Sequence, residues 1–577
     1  MLKTELRLGV VSSVTAHLLR VNLGYAGNPS AAYFSGGRYG KGEVGEFVLI
    51  ENQQGLLLGR VVEVRLPESD RRAISQDYSG TDHLDAIAMV QLLGSVPMDQ
   101  IAISAGVDSY PRLGDRVYAA PHQFIALIPA LMDLKGDKPN PVRLTLGTVG
   151  GASEGVISVT PETLFGRHCA ILGATGGGKS WTTARIIEEC IKHQAKIILL
   201  DATGEYRGFS GDHVMHCHLG KPIKKSDKSM ACSLPPTSFQ ESDFIALFDP
   251  AGKVQGPKLK AAIRSLRVAA LKPGIALNGI IKKIDNTKSH YISALQDTSI
   301  AAKIDDPRQP FDINKLCEQI EQECVHPDGF GIGKGVKDTS KWGGESGEFS
   351  HCLSLVSRIN SVKTSVAFNC TFKDSSNPLT KKIDTFRTNH KRLLRICLSG
   401  IQHEFNAREI ISNVLGRYLL TEARAGKFKQ RPVIVIVDEA HNFLGKHIGS
   451  EDSSARLDAF ELIAKEGRKY GLNICLATQR PRDITEGVLS QMGTLIVHRL
   501  TNDRDREVVE RACGEIDRSA SAFLPNLKPG EAAIIGVDFP IPLTVQINKP
   551  TVRPQSDGPD FQNYWSVKPA KDAIDQE

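Results

Sequence analysis

Gly173, four further residues, then Gly178, Lys179 and Ser180 bring turn-forming glycines, a long-stemmed cation and a hydroxyl into one short stretch, LGATGGGKS. Glycines let consecutive backbone N–H groups converge on a phosphate, a lysine at this spacing reaches the β- and γ-phosphates, and the hydroxyl beside it ligates Mg2+. Gly173, Ala174, Thr175, Gly176, Gly177, Gly178, Lys179, Ser180 and Trp181 are therefore the candidate binding residues for ATP, with Ser180 a ligand of its Mg2+. A second cluster follows the apolar run Val433–Val437, which ends in Asp438 and Glu439. A carboxylate pair at the end of a buried strand suits one group that holds Mg2+ through water, Asp438, and one that polarises an attacking water, Glu439. A third lies in KIILLDATGEY, where Asp201 and Glu205 follow an apolar run and are expected beside the nucleotide.

Two further residue types complete a phosphoryl-transfer site. Gln479, after the strand expected over 472–477, is placed as a sensor of the γ-phosphate, and an arginine near a helix end can meet transition-state charge from a neighbouring subunit. Arg468 is the first candidate for that arginine and Arg480 the second; a surface ion pair is the alternative role for either.

These groups need a parallel sheet to hold them. Cys169–Leu172 reads as a short buried strand, and 181–193 carries Ile186, Ile187, Cys190 and Ile191 at helical spacing, so the loop joins a strand to a helix N-terminus. The apolar runs ending in Asp201 and Asp438 read as further buried strands. A helix is expected over 456–470. Lys179 and Asp438 stand 259 residues apart, more than a mononucleotide fold requires, which implies an insertion. The expected plan is a β-rich unit over 1–150, the first part of the nucleotide core over 151–210, an inserted and mainly helical subdomain over 211–385, the second part of the core over 386–547, and a tail over 548–577.

The β-rich unit rests on LGVVSSV, HLLRVNL, GEFVLIE and LLLGRVVEVRLP, separated by turn residues, which suit a small antiparallel barrel or sandwich; 24–45 reads as a long, glycine-rich, flexible loop. Within the insertion, 259–271 has helical periodicity, and 250–284 holds no acidic residue while carrying Lys253, Lys258, Lys260, Arg264, Arg267, Lys272, Lys282 and Lys283. That face fits either DNA or plain solvation.

The chain has 577 residues, 41% hydrophobic and 24% charged, with a net charge of +6, which suits a globular protein of several domains and is compatible with nucleic acid without requiring it. Eleven cysteines lie scattered without a paired framework, the amino terminus lacks a signal-peptide core, and no apolar stretch approaches a membrane span, so a cytoplasmic protein with no membrane partner is expected. His213, His216, Cys217 and His218 in HVMHCH are metal-ligand types, but no second cluster stands at zinc spacing. Cys317 and Cys324 read as core or surface thiols.

Taken in order, GATGGGKS, LLDATGEY, IVDEAHNFL, EGRKYGLNICLATQRP and LKPGEAAIIG resemble the HerA-type ATPases of the FtsK/HerA branch of RecA-like motors, and the amino-terminal segment is similar to the barrel those proteins carry. The likeness covers the barrel and the core well and 210–385 poorly. It implies an α/β fold, with a RecA-like P-loop ATPase core, an amino-terminal β-barrel and an inserted helical subdomain. It also implies a homohexamer around double-stranded DNA that hydrolyses ATP at subunit interfaces and works with a separate effector. By the same resemblance Arg167 and Arg468 match positions where basic residues lie near the nucleotide. Some bacterial members resemble anti-phage components paired with a sirtuin-like NAD-consuming enzyme; the barrel sequence leaves open whether such an enzyme or a nuclease is the partner. Asp438–His441 spells the DEAH of superfamily 2 helicases, but too little chain follows Gln479 for the second lobe they need. A regulatory ATPase that scaffolds an effector shares every motif.

Overall fold

The computed structural model describes residues 2–23, 32–34, 37–66, 86–97, 102–132, 141–149, 155–222, 228–307, 309–330, 336–373, 376–444, 447–448, 455–513, 518–555, 561 and 565. In the amino-terminal part seven strands form one antiparallel sheet. It closes on itself because Leu18–Leu23 pairs with Arg7–Val14 on one side and with Ala86–Pro97 on the other. Closure leaves neither of those strands with an open edge and decides for a barrel over a sandwich. Leu19, Val21, Val48, Ile50, Leu57 and Val61 fill the interior. The segment 24–45 is not all loop: Ala32–Phe34 pairs with Gly37–Tyr39 as a short hairpin, while 24–31 and 35–36 lie outside the described residues.

The second sheet has twelve strands. Its centre runs, in spatial order, Thr494–His498, Cys169–Leu172, Leu472–Thr478, Val433–Val437, Ile197–Asp201, Leu393–Cys397 and Val214–His218, every neighbouring pair parallel. Alternate residues of these strands enter two different apolar cores: Ala170, Leu172, Ile198 and Leu200 one, Cys169, Ile171, Ile197 and Leu199 the other. With both faces covered, Cys169–Leu172, 197–200 and Val433–Val437 are apolar at every position, which is why they read as unbroken hydrophobic runs. Beyond Thr494–His498 the sheet continues antiparallel through Glu531–Gly536, Phe539–Ile547, Leu144–Thr148 and Val156–Val159.

Three expectations need correction. The sheet takes in Leu144–Thr148, inside the stretch assigned to the barrel, and Val214–His218 with Met230–Ala231, inside the stretch assigned to the insertion. The helical excursion therefore begins after those strands, with Glu241–Phe248 and Gly252–Leu271, and ends with Leu379–Thr388. It packs its Phe244, Leu259, Ile263 and Leu355 into the same core as one face of the sheet. Finally, the helix expected over 456–470 spans only Ala459–Glu466 and tightens into a 3-10 turn at Gly467–Tyr470, where a Cβ on Gly467 would meet the Leu472 carbonyl oxygen at 2.5 Å.

Barrel and core meet at Arg60, which is buried. Its guanidinium donates to Thr544 Oγ1 (3.1 Å) and lies 4.0 Å above the Phe523 ring. Among the described residues no helix is long and apolar enough to cross a membrane.

Candidate active site

The loop leaves the buried strand Cys169–Leu172 and is pinned to its neighbours by backbone bonds, Gly173 N–H to Thr478 O (3.3 Å) and Ala174 N–H to Arg499 O (3.1 Å). Gly176 (φ 78°) and Gly178 (φ 116°) occupy backbone conformations open to glycine, and Gly178 caps the helix Lys179–Lys192 without any side chain to satisfy its first-turn N–H groups. Those free donors, at the positive end of the helix, form an anion site.

Lys179 is buried, and its Nζ donates to Asp438 Oδ1 (3.1 Å) and Glu439 Oε1 (2.9 Å). Burial alone would lower its pKa; the two carboxylates reverse this and raise it. Burial lifts Asp438 to about 7, with Lys179 opposing and the charges of Asp201, Glu439 and Glu205 adding to the rise. Asp438 Oδ2 and Glu205 Oε2 are both buried and have no hydrogen-bond partner among the described residues. Ser180 and Glu205 line one cavity, and with the unmet oxygens of Glu205 and Asp438 they supply hard oxygen donors of the kind that fits Mg2+.

Gln479 joins loop to carboxylate. Its Oε1 accepts from Thr175 Oγ1 (2.6 Å) and its Nε2 donates to Glu439 Oε1 (2.7 Å). Glu439 itself has φ 48°, a conformation that costs a side-chain-bearing residue of the order of 1 kcal/mol, and is held there by Lys179 and Gln479. His441 Nδ1 lies 3.3 Å from Glu439 Oε2. Asp201 departs from its expected role. Its carboxylate accepts from the N–H groups of Gly204, Glu205 and Tyr206 (2.7 to 3.2 Å) and from Arg395 Nε (2.6 Å), with both charged side chains fully buried. Its oxygens are committed to shaping the turn that presents Glu205, so it positions a binding residue in place of touching the nucleotide.

Loop, Trp181, Glu205 and Gln479 share one cavity of about 630 Å3, large enough for a nucleotide. The family model for the HerA helicase central domain matches residues 144–417. The chain is 26% identical over 405 residues to a probable DNA double-strand break repair helicase HerA of Methanocaldococcus jannaschii, covering 67% of this chain and 72% of that one. It is 24% identical over 407 residues to the DNA double-strand break repair helicase HerA of Saccharolobus solfataricus, covering 70% and 68%. The chain is an ATPase similar to the HerA helicases. Among solved structures it is similar to the plasmid coupling protein TrwB in complex with ADP and Mg2+ (14% identity, TM-score 0.42, 73% of this chain and 98% of that one). VirB4 of Thermoanaerobacter pseudethanolicus is similar to the same degree (13%, 0.43, 72% and 98%).

In this HerA-like ATPase Arg167 and Arg468 do not join the cavity. They lie at the other edge of the sheet, before the strands whose far ends carry the loop and Gln479, and line a separate cavity of about 250 Å3 together with Lys465 and Lys469. A four-residue strand puts roughly 13 Å between that edge and the loop. Arg167 Nε pairs with Asp538 Oδ1 (3.2 Å) and Arg468 is exposed. Arg480 is on the loop edge, exposed, 3.8 Å from Asp483.

Several site residues escaped the sequence reading. His498, Pro529, Gly530 and the strand end 546–549 surround the loop or line its cavity; the Pro-Gly pair in LKPGE signalled a turn, but nothing local tied it to the phosphate loop. Of the insertion's basic residues, Lys258, Arg264, Arg267, Lys272 and Lys283 pair with Glu348, Asp305, Glu241, Asp297 and Glu323. Much of the positive charge on that stretch, read as fitting either DNA or plain solvation, is thus neutralised within the chain. In HVMHCH, His216 Nε2 lies 2.8 Å from Phe209 O and His218 Nδ1 2.7 Å from Ser229 Oγ.

Proposed function

We propose that this HerA-like ATPase is a cytoplasmic motor that assembles as a homohexamer around double-stranded DNA and hydrolyses ATP at the boundary between copies. The observation that carries the reading is the division of charge across the sheet. Lys179, Asp438, Glu439 and Gln479 converge at the loop edge, whereas Arg167 and Arg468 are gathered at the opposite edge. Within one chain those arginines are too far from the loop to meet a γ-phosphate. Against a second copy, they become its complement.

ATP phosphates compete for Lys179 Nζ and release Glu439 Oε1 to water. Glu439 then takes a proton from that water as its oxygen bonds to the γ-phosphorus and the bond to the β–γ bridging oxygen breaks, while Gln479 reports the γ-phosphate back to Thr175. Ser180, Asp438 and Glu205 would hold Mg2+, which neutralises charge on the phosphate oxygens. The test is ATP turnover with and without duplex DNA, alongside negative-stain images of the same samples. Rings with a pore of DNA width and turnover that rises with DNA support the motor; monomers under all conditions refute it.

A second reading draws on the neutralised basic face of the insertion: a ring that binds nucleotide to activate a partner, with DNA sensed and not pumped. In both readings the amino-terminal barrel provides the docking face for a separately encoded effector, a nuclease or an anti-phage sirtuin-like NAD-consuming enzyme. Co-purification of such a partner with the full chain but not with a barrel-less chain supports this docking. Retention by the barrel-less chain places the partner on the motor.

A further inference from the structure

His498 ends the strand beside the phosphate loop and is fully buried. Its Nδ1 lies 2.8 Å from the Glu531 carbonyl oxygen and its Nε2 lies 2.8 Å from Thr182 Oγ1. A carbonyl oxygen can only accept, so Nδ1 carries the proton and Nε2 is left to accept from the Thr182 hydroxyl. The ring also backs the loop. A Cβ on Gly173 would sit 2.6 Å from His498 Cβ, and one on Gly178 would sit 3.1 Å from its Cε1.

The two hydrogen bonds tie together two segments that border the nucleotide cavity, since Thr182 and Gly530 both line it. Thr182 belongs to the first turn of the loop helix, and Glu531 follows Gly530, whose N–H donates to Gly177 O (3.2 Å). If the phosphates occupy the loop, as the ATPase reading requires, what remains of the cavity is bounded by Trp181, Pro529, Gly530, Gln546, Asn548 and Lys549. That is the space left for ribose and base.

We infer that His498 is a positioning residue that clamps the loop to the 529–530 turn, and that this turn with the strand end 546–549 receives the nucleoside end of the nucleotide. Burial holds the imidazole pKa down to about 4, so the tautomer that makes both bonds persists at neutral pH.

The test compares ADP with pyrophosphate, which spans only the loop, by calorimetric titration of the full chain. In His498→Phe, which keeps the ring volume and deletes both bonds, ADP affinity falls on the order of tenfold while pyrophosphate affinity changes less than about threefold. In turnover the loss falls on KM more than on kcat. His498→Asn keeps a donor near the Glu531 carbonyl and recovers most of the ADP affinity, a rescue that a purely structural role would not produce. Thr182→Val deletes a single hydroxyl and serves if the Phe variant does not fold; it too weakens ADP several-fold. Unchanged ADP affinity in these variants, or equal losses of ADP and pyrophosphate, overturns the inference. Failure of the unmodified chain to bind ADP at all, or binding that Lys179→Ala leaves intact, overturns the ATPase reading beneath it instead.

Discussion

Glu439→Gln and Lys179→Ala should separate binding from chemistry in opposite directions. Before nucleotide arrives, Lys179 is held by Asp438 at 3.1 Å and Glu439 at 2.9 Å, so ATP must displace the lysine from two charged acceptors. A charge-assisted hydrogen bond contributes about 1.5–3 kcal/mol and a neutral one about 1 kcal/mol. Exchanging the Glu439 carboxylate for an amide therefore lowers the cost of freeing Lys179 by about 1 kcal/mol, and ATP affinity should rise about fivefold. The same exchange deletes the group that accepts the water's proton, so single-turnover hydrolysis should fall about 10²- to 10⁴-fold. Lys179→Ala removes the cation that phosphate needs and leaves two carboxylates facing the incoming anion; ATP affinity should fall at least about a hundredfold. Titration with a fluorescent ATP analogue, paired with single-turnover hydrolysis, measures both quantities on the same samples. Equal losses of binding in the two variants, or hydrolysis that survives Glu439→Gln, would refute the division of roles.

If Arg468 acts across a subunit boundary, mixing inactive Arg468→Ala and Glu439→Gln chains should restore ATP turnover at interfaces that pair an intact Arg468 with an intact Glu439. Mixtures that demonstrably exchange subunits and stay inactive would place Arg468 within its own site. Arg395→Met, which strands the buried Asp201 carboxylate, should lower unfolding free energy by about 3–5 kcal/mol and shift the urea midpoint down, whereas a midpoint within error of the parent would show the pair to be dispensable. Burial holds His168 and His498 at about 4 in the fold, below the unfolded value of 6.5, so the unfolded chain takes up protons first as pH falls. Stability should be unaffected by these two groups above pH 6.5 and decline from there to pH 4, by up to about 3 kcal/mol for each. His498→Phe should flatten that decline in urea titrations, and an unchanged slope would contradict the burial of a neutral ring.

The phosphate loop and the acidic strand end were legible in the chain because their chemistry is local: glycines, lysine and serine act within one turn, and a strand buried on both faces must be apolar at every position before it delivers Asp438 and Glu439. For the same reason those strands say nothing about which neighbour they lie beside, since an all-apolar run carries no alternation to set facing or order. Tertiary structure decided the rest. Arg395 stands 194 residues from the Asp201 it neutralises, and Thr182 stands 316 residues from His498. It made Asp201 a turn-shaping group, and it brought 529–530 and 546–549 over the nucleotide cavity. It also turned the seemingly basic stretch 250–284 into one largely paired with acids from elsewhere in the insertion, because a charge in a packed subdomain takes whichever counter-charge the fold places within reach. Residue type set which reactions were available; the parallel pairing of the strands decided which groups stand together at the loop edge and which, like Arg167 and Arg468, stand a strand's length away.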